Sequence, residues 1–318
     1  MITTSIEIAS QALINDDIIA IPTETVYGLA GNAFKEQVVE KIFWAKQRPL
    51  YNPLIVHIKS AGALSDVACD IPPLAMSMAK AFWPGPLTLI LRKQPHIPDL
   101  VTAGKSTVAV RVPDHALTLE LLSRLDFPLA APSANPFGSI SPTTADHVDH
   151  YFKSGLSVVL DGGECKKGLE STIIGFEKEE PVLYRLGAIS VEDIERQMGR
   201  KVLIRSSNDI DPEAPGMLSR HYSPRTRTHL VGNVRAYLES LPELRIGLLL
   251  FKEPINDQRV LHQEILSASA NMDEAAKGLY AALHRLDQLQ LDLIVAERFP
   301  EAGLGHTIND RLQRAAQQ

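Results

Sequence analysis

The stretch Ile21-Pro-Thr-Glu-Thr-Val-Tyr-Gly-Leu-Ala30, with the basic run Lys46-Gln-Arg-Pro-Leu-Tyr-Asn-Pro-Leu-Ile-Val-His57 that follows it, decides how the chain is read. Asp17-Ile-Ile-Ala-Ile21 is a short apolar run stopped by Pro22, the pattern of a buried strand. Thr23, Glu24 and Thr25 then stand at its exit, where α/β sheets commonly present ligand contacts. From Glu36 to Ala45, the apolar residues Val38, Val39, Ile42, Phe43 and Ala45 recur on one helical face. That helix delivers Lys46 and Arg48 at its C-terminal end before Pro49 stops it. Two hydroxyls and two cations leaving neighbouring elements suit a pocket for an anion. They suit equally a solvated basic helix end, which the helix dipole favours.

The whole chain bounds these readings. Its 318 residues predict two domains rather than one, and 45% hydrophobic with 22% charged residues is an ordinary globular composition. No apolar run is long enough to span a membrane, and Met1-Ile-Thr-Thr-Ser-Ile-Glu7 has no secretory pattern, so a cytoplasmic protein with no membrane partner is expected. Cys69 and Cys165 are too far apart in sequence for a CxxC motif, so neither a zinc site nor a disulfide framework is expected. A net charge of −6 speaks against RNA as the main partner while leaving a local basic patch open.

Farther along, Pro72 to Trp83 carries Leu74, Met78, Ala81 and Phe82 at helical spacing. Trp83-Pro-Gly-Pro86 is a turn to which no chemistry is assigned, and Leu87 to Leu91 is a strand. In Ser106-Thr-Val-Ala-Val-Arg-Val-Pro113 strand alternation separates Val108, Val110 and Val112 from Thr107, Ala109 and Arg111. The first set is a core face. The second aligns a hydroxyl with a guanidinium able to hold a carboxylate or phosphate, unless Arg111 is simply an edge residue in solvent. Phe127 to Ala131 reads as a strand ending in a Pro-, Ser- and Asn-rich loop, in which Ser133, Asn135 and Ser141 are either plain turn residues or phosphate and adenine contacts. Strands around Val158–Asp161, Gly168–Gly175 and Val182–Leu186 and a helix from Val191 to Met198, capped by Gly199, close a first domain at about residue 200. Residues 201–226 read as a linker. Its cluster of Arg220, His221, Tyr222 and Arg225 is either surface loop or a lid folded over a site. Residues 227–318 alternate strand and helix, as in a small Rossmann-like α/β domain, but lack a GxGxxG turn and are not assigned a nucleotide. Gly303-Leu-Gly305, placed before the last helix, is too short to supply one.

Taken together, the motifs resemble the long-form threonylcarbamoyl-AMP synthases. The resemblance rests on Pro22-Thr-Glu-Thr-Val-Tyr-Gly28, Lys46-Gln-Arg-Pro49, Asn52-Pro-Leu-Ile-Val-His57 and Trp83-Pro-Gly-Pro-Leu-Thr88. It continues through Thr107-Val-Ala-Val-Arg111, Ala131-Pro-Ser-Ala-Asn135, Leu169-Glu-Ser-Thr172, Ala214-Pro-Gly-Met217, His221-Tyr-Ser-Pro224 and Ile308-Asn-Asp-Arg-Leu312. Ala30 departs from a usual glycine, and Ile173 and Ile174 from usual valines. The implied fold is α/β: a YrdC-like twisted mixed sheet with helices, then the linker, then the small Rossmann-like domain.

The resemblance implies that L-threonine, bicarbonate and ATP give threonylcarbamoyl-AMP and pyrophosphate. A tRNA-modifying transferase complex would receive the adenylate for the adenosine next to the anticodon. By matched position, Thr25, His57, Arg111, Ala131 and Ser171 would hold threonine. Lys46, Arg48, Asn52, Thr107, Ser133, Asn135, Ser141, Arg185 and Tyr222 would hold ATP, with Lys46, Arg48 and Arg111 as the catalytic cations. Magnesium would arrive with the nucleotide and no protein metal site is implied. A monomer is expected. The competing readings are a double-stranded RNA-binding module, a carbamoyl-transfer module of the same fold, and an amino-acid-binding regulator without turnover.

Overall fold

The computed structural model describes residues 1–178, 180–205, 214–217 and 221–317, with the Ser154 side chain excepted. Arg220 of the basic linker cluster lies outside the described residues. The strands form two sheets. The larger runs, in spatial order, Ile2–Thr3, Val159–Leu160, Ile19–Ile21, Gly28–Asn32, Leu129–Ala130, Ile55–His57, Thr107–Arg111, Leu87–Lys93, Thr172–Glu177, Glu180–Arg185 and Leu203–Ile204, with Ala68–Cys69 paired beside Leu87–Lys93. Its pairings are mixed, parallel between Ile55–His57 and Thr107–Arg111 and antiparallel between the latter and Leu87–Lys93.

Alternation along these strands gives the sheet two unlike faces. Val56, Leu89, Leu91, Val108, Val110, Val112 and Ile174 join one core beneath it with Val38, Val39, Ile42 and Phe43 of the Glu36–Lys46 helix and Ala75, Met78 and Ala79 of the Pro73–Phe82 helix. Fully burying such aliphatic side chains contributes about 1.5–3 kcal/mol each. On the latter helix Ala81, expected on the apolar face, is exposed. Leu74 and Phe82 turn inward only in part, so the buried stripe is centred on Met78 instead. The opposite sheet face carries Ile55, His57, Thr88, Ala109 and Arg111, and the site lies on it.

The Glu36–Lys46 helix ends where Gln47 takes a left-handed conformation (φ 52°) and donates its N–H to the carbonyls of Phe43 and Trp44. Lys46 and Arg48, either side of this turn, are buried, so the solvated helix end considered above is not what forms.

The second sheet is all parallel, in the order Thr228–Val231, Leu293–Glu297, Ile246–Leu250 and Val260–Ile265. The first and last of these escape the sequence reading. Thr228–Val231 is short, and Val260–Ile265 is an edge strand with exposed Leu261 and no unbroken apolar run. Leu203–Ile204, assigned to the linker, instead adds an edge strand to the large sheet. The last helix is Leu304–Ala315, so Gly305 sits inside it rather than ahead of it as expected.

One apolar cluster joins the two sheets. Val26, Ile140, Leu169 and Ala188 from the first half pack with Leu279, Leu283, Ile308 and Leu312 from the Met272–Asp287 and Leu304–Ala315 helices. At its edge the His147 and His284 rings stack at 3.9 Å, and the Nε2 of His284 lies 3.2 Å from the Ser141 carbonyl. Gly168 has φ +69°, and a Cβ there would collide with the Lys277 backbone.

Gly168→Ala should therefore cost more than about 1 kcal/mol, read as a lowered urea midpoint at unchanged slope. Burial first, and then His147, pushes His284 down to about 3. Because the folded form holds it neutral below its unfolded value of about 6.5, its contribution is complete above pH 6.5 and is lost as pH falls. Its share of that loss should be about 2 kcal/mol by pH 5. His284→Asn should flatten this acid limb in denaturation curves run from pH 7 to 5.

Candidate active site

The second sheet face, together with the loops around it, forms a cavity partly open to solvent. Thr25, Gly28, Ile55, His57, Arg111 and Ala131 line its floor and near wall; Arg48, Ser133, Ser171 and Arg185 continue the wall, and Pro215, Gly216, His221 and Tyr222 the remainder. His57 and Arg111 are register partners on parallel strands, which fixes them side by side. The cavity thus lies on the sheet's face and is also bordered by Thr23, Thr25 and Val26 at the exit of Ile19–Ile21. Mixed pairing scatters the strand ends, while alternation collects Ile55, His57, Ala109 and Arg111 on one surface.

Lys46, 1% exposed, donates from Nζ to the carbonyls of Ser133 (2.6 Å) and Asn135. Arg48 donates to the Asn52 carbonyl (3.1 Å), the Asn52 side-chain oxygen (2.6 Å) and the Pro53 carbonyl (2.8 Å). Arg185 donates to the Ser171 carbonyl (2.8 Å) and hydroxyl (3.0 Å) and to the Pro215 carbonyl (3.1 Å). Among the described residues no carboxylate pairs with any of the three. Their pKa values reflect this. Burial, followed by Arg48, holds Lys46 well below the usual lysine range, and burial, followed by Arg185, pushes Arg48 down to about 9.

Arg111 differs. Its Nη2 pairs with Glu24 at 2.6 Å, its Nη1 donates to Thr25 Oγ1 (2.9 Å), and its Nε donates to the Gly85 carbonyl (3.1 Å). Thr23 Oγ1 gives its hydrogen to the Val26 carbonyl (2.6 Å), so Thr25 Oγ1 donates to Thr23 Oγ1 (2.8 Å) and accepts from Arg111. Five N–H groups, so occupied, leave at least one on each terminal nitrogen for a bidentate acceptor. The Trp83–Pro86 turn, assigned no chemistry from sequence, thus supplies through Gly85 a carbonyl that orients this guanidinium.

Several buried polar atoms have no hydrogen-bond partner among the described residues: His57 Nδ1, Asn52 Nδ2, Asn135 Oδ1, His221 Nδ1 and Tyr222 Oη. Buried polar atoms are nearly always paired, so such a cluster marks a place for a polar ligand. Burial and then Arg111 push His57 down to about 3, so it is a neutral imidazole at ordinary pH.

Of the sequence-derived set, all five candidates for holding threonine and Arg48, Ser133, Arg185 and Tyr222 line the cavity, whereas Lys46 and Ser141 do not. Asn52 and Asn135 stand just behind the wall, holding Arg48 and bracing the loop: Asn135 Nδ2 donates to the Pro136 and Ser139 carbonyls (3.0 and 2.9 Å). Ser141 Oγ donates to Glu170 Oε1 (2.7 Å), so toward a ligand it can only accept. Thr107 does not reach the cavity. Ala109, which lies between it and Arg111 on that face, is covered by Ala214 and Met217. Glu170 and Arg311 were given no role from sequence, and Glu24 only a place at the strand exit. Each acts through a partner more than 80 residues away, and no local spacing carries that signal.

The fold and site define a two-domain α/β protein with a cation-rich small-molecule cavity. The family model described as "Telomere recombination" matches residues 11–187, and that described as "Threonylcarbamoyl-AMP synthase, C-terminal domain" matches residues 189–317. The chain is 39% identical to the threonylcarbamoyl-AMP synthase of Pyrococcus abyssi, over 98% of this chain and 94% of that one. It is 38% identical to the Bacillus subtilis protein of the same name, over 97% and 92%. The chain belongs to the threonylcarbamoyl-AMP synthase family. The crystal structure of P. abyssi Sua5 complexed with L-threonine superposes with a TM-score of 0.91 at 39% identity, over 98% of this chain and 94% of that one. E. coli YciO shares only the fold of the first domain, with a TM-score of 0.52 at 21% identity over 57% of this chain and 88% of that one.

Gly216 has φ +81°, and a Cβ there would sit 2.9 Å from Tyr222 Oη and 3.0 Å from Arg185 Cδ. Gly216→Ala should displace both side chains and weaken nucleotide binding by about tenfold, a loss of about 1.4 kcal/mol. Calorimetric titration with ATP checks this.

Proposed function

We propose that the protein condenses L-threonine, bicarbonate and ATP into threonylcarbamoyl-AMP and pyrophosphate. The observation that carries this reading is the trio Lys46, Arg48 and Arg185: buried, hydrogen-bonded to carbonyl and hydroxyl oxygens, and with no described carboxylate in ion-pair contact. Such a cluster suits a polyanion. Beside it Arg111, locked by Glu24, Thr25 and Gly85, presents a fork suited to an amino-acid carboxylate.

Threonine's amine, as the free base, forms an N–C bond to carbon dioxide derived from bicarbonate, losing a proton to give a carbamate. A carbamate oxygen then attacks the α-phosphorus of ATP, and the bond to pyrophosphate breaks with its electron pair leaving on that product. An anion attacking a polyanion needs charge neutralisation and alignment more than proton transfer. Lys46, Arg48 and Arg185 supply the neutralisation, with Asn52, Ser133, Asn135, Ser141 and Tyr222 positioning the nucleotide. Thr25, His57, Ala131 and Ser171 complete the threonine pocket. Neutral His57 can hydrogen-bond the substrate without adding a further cation. A nucleotide that also touches Thr107 requires the Ala214–Met217 segment to lift from Ala109, which makes that segment a lid.

Among the described residues, no group of three His, Cys, Asp or Glu could hold a metal. Magnesium would be carried by the nucleotide's own phosphates, and no step is drawn through it. On this reading the protein is a cytoplasmic monomer that hands its product to a tRNA-modifying transferase complex, with at most a weak RNA contact. Among the described residues no helix is long and apolar enough to cross a membrane.

Incubation with ATP, magnesium, L-threonine and labelled bicarbonate should yield threonylcarbamoyl-AMP by mass spectrometry, with pyrophosphate release requiring all three substrates. ATP binding without product would overturn the reading. Lys46→Met should lower kcat by about 10²–10³. Arg111→Lys, which keeps a charge opposite Glu24, should raise the threonine KM about tenfold or more while leaving the ATP KM within about twofold. Steady-state kinetics with each substrate varied in turn separates the two effects.

A further inference from the structure

Arg311, on the last helix, is among the largest fully buried side chains of the described residues, and no local spacing marks it for a place at the cavity. Its Nε donates to Glu170 Oε2 (2.8 Å), its Nη2 to the Leu186 carbonyl (2.6 Å), and its Nη1 pairs with Asp310. The planar end lies over the Tyr222 ring, 4.8 Å from its centroid. Tyr280, from the Met272–Asp287 helix, stacks on the same ring at 5.7 Å and donates its hydroxyl to Glu170 Oε2 (2.9 Å). Glu170, which lines the cavity, takes Ser141 Oγ on its other oxygen. Tyr222 lies in the left-handed region at φ 64°, a conformation an aromatic residue keeps only where its surroundings impose it. Arg311 and Tyr280 pack against its ring, and the His221 ring meets it edge-on.

We propose that Arg311 is a positioning residue for the nucleotide half of the site. Through the cation–π contact it holds Tyr222 against the cavity, and through Glu170 it fixes Ser141 as an acceptor. The small second domain thereby contributes to ATP binding without touching ATP. Among the described residues Arg111, His57 and Thr25 make no hydrogen bond or ion pair with Arg311, Glu170, Tyr280 or Tyr222; the fork that faces the threonine carboxylate is held instead by Glu24, Thr25 and Gly85. The nucleotide assignment rests on the function proposed above; the clamp on Tyr222 does not.

Arg311→Lys keeps a charge opposite Glu170 but loses the planar stack, so it leaves no buried carboxylate unpaired. Amide exchange over residues 214–226, read without ligand, tests the clamp whatever reaction the site performs, and exchange in that segment should rise relative to the rest of the chain. Titration with ATP should then show affinity reduced about tenfold, the scale of a desolvated cation–π contact, with threonine affinity changed less than twofold. In a Tyr222→Leu background the same substitution should cause no further loss of ATP affinity, because the partner is gone. Unchanged exchange, unchanged ATP affinity, equal loss for both ligands, or the same loss in the Tyr222→Leu background would each overturn the proposal. Failure of the wild-type protein to make the adenylate would count against the reaction alone, since the exchange readout needs no turnover.

Discussion

Everything at this site depends on how the protein buries positive charge. Taking a guanidinium or ammonium out of water costs several kcal/mol unless its hydrogens find oxygens. At Lys46, Arg48 and Arg185 those oxygens are mainly main-chain carbonyls, which solvate a cation without cancelling its field. At Arg111 and Arg311 they include the carboxylates of Glu24 and Glu170, which do cancel it. The difference sorts the cations by task. Those left unneutralised maintain a positive potential in a low-dielectric cavity, where it acts on a ligand more strongly than in water. The neutralised pairs spend their charge on geometry: one fixes the plane of a fork, the other holds an aromatic ring.

The sheet makes this arrangement affordable by being apolar beneath and polar above. Strict alternation in Thr107–Arg111 sends Val108 and Val110 into the core and Ala109 and Arg111 toward the cavity, and parallel pairing with Ile55–His57 sets His57 beside Arg111. A register shift between Ile173 and Ile174 brings Ile173 opposite Arg185 and Ile174 opposite Leu183. Ile173 can then face Ala109 and Met217 while Ile174 returns to the main core. A one-residue slip in any of these strands would exchange cavity residues for core residues, so the buried valines specify the site as firmly as they stabilise the fold.

What could be read in the sequence follows the same division. The Thr107–Arg111 face, the Lys46–Arg48 helix end and the Gly199 cap are encoded within a few residues of one another, and periodicity exposes them. The Ile19–Ile21 strand was equally legible, but the cavity's place on a sheet face was not, because it depends on which strands become neighbours. Glu24 with Arg111, Glu170 with Arg311, and Gly168 against Lys277 are meetings of distant segments. Each of these residues, read alone, is an ordinary acid, base or turn glycine. The edge strand Leu203–Ile204 was missed for a related reason: its side chains are exposed, so its apolar pattern serves pairing rather than burial.

The same logic explains why the second sheet is more than an appendage. Pro215, Gly216 and Tyr222 border the cavity; Ala214 and Met217 are anchored on the sheet face, and Tyr222 is held between Arg311 and Tyr280. A left-handed aromatic residue costs on the order of 1–3 kcal/mol and persists only where packing over-determines it. Here that packing comes from helices of the second sheet, themselves held by the apolar cluster that includes Val26 and Leu169. Val26 follows Thr25, which orients Arg111, and Leu169 precedes Glu170, which receives Arg311. The docking contacts and the site contacts are thus adjacent residues of the same segments, so the two sheets cannot separate without disturbing both halves of the cavity.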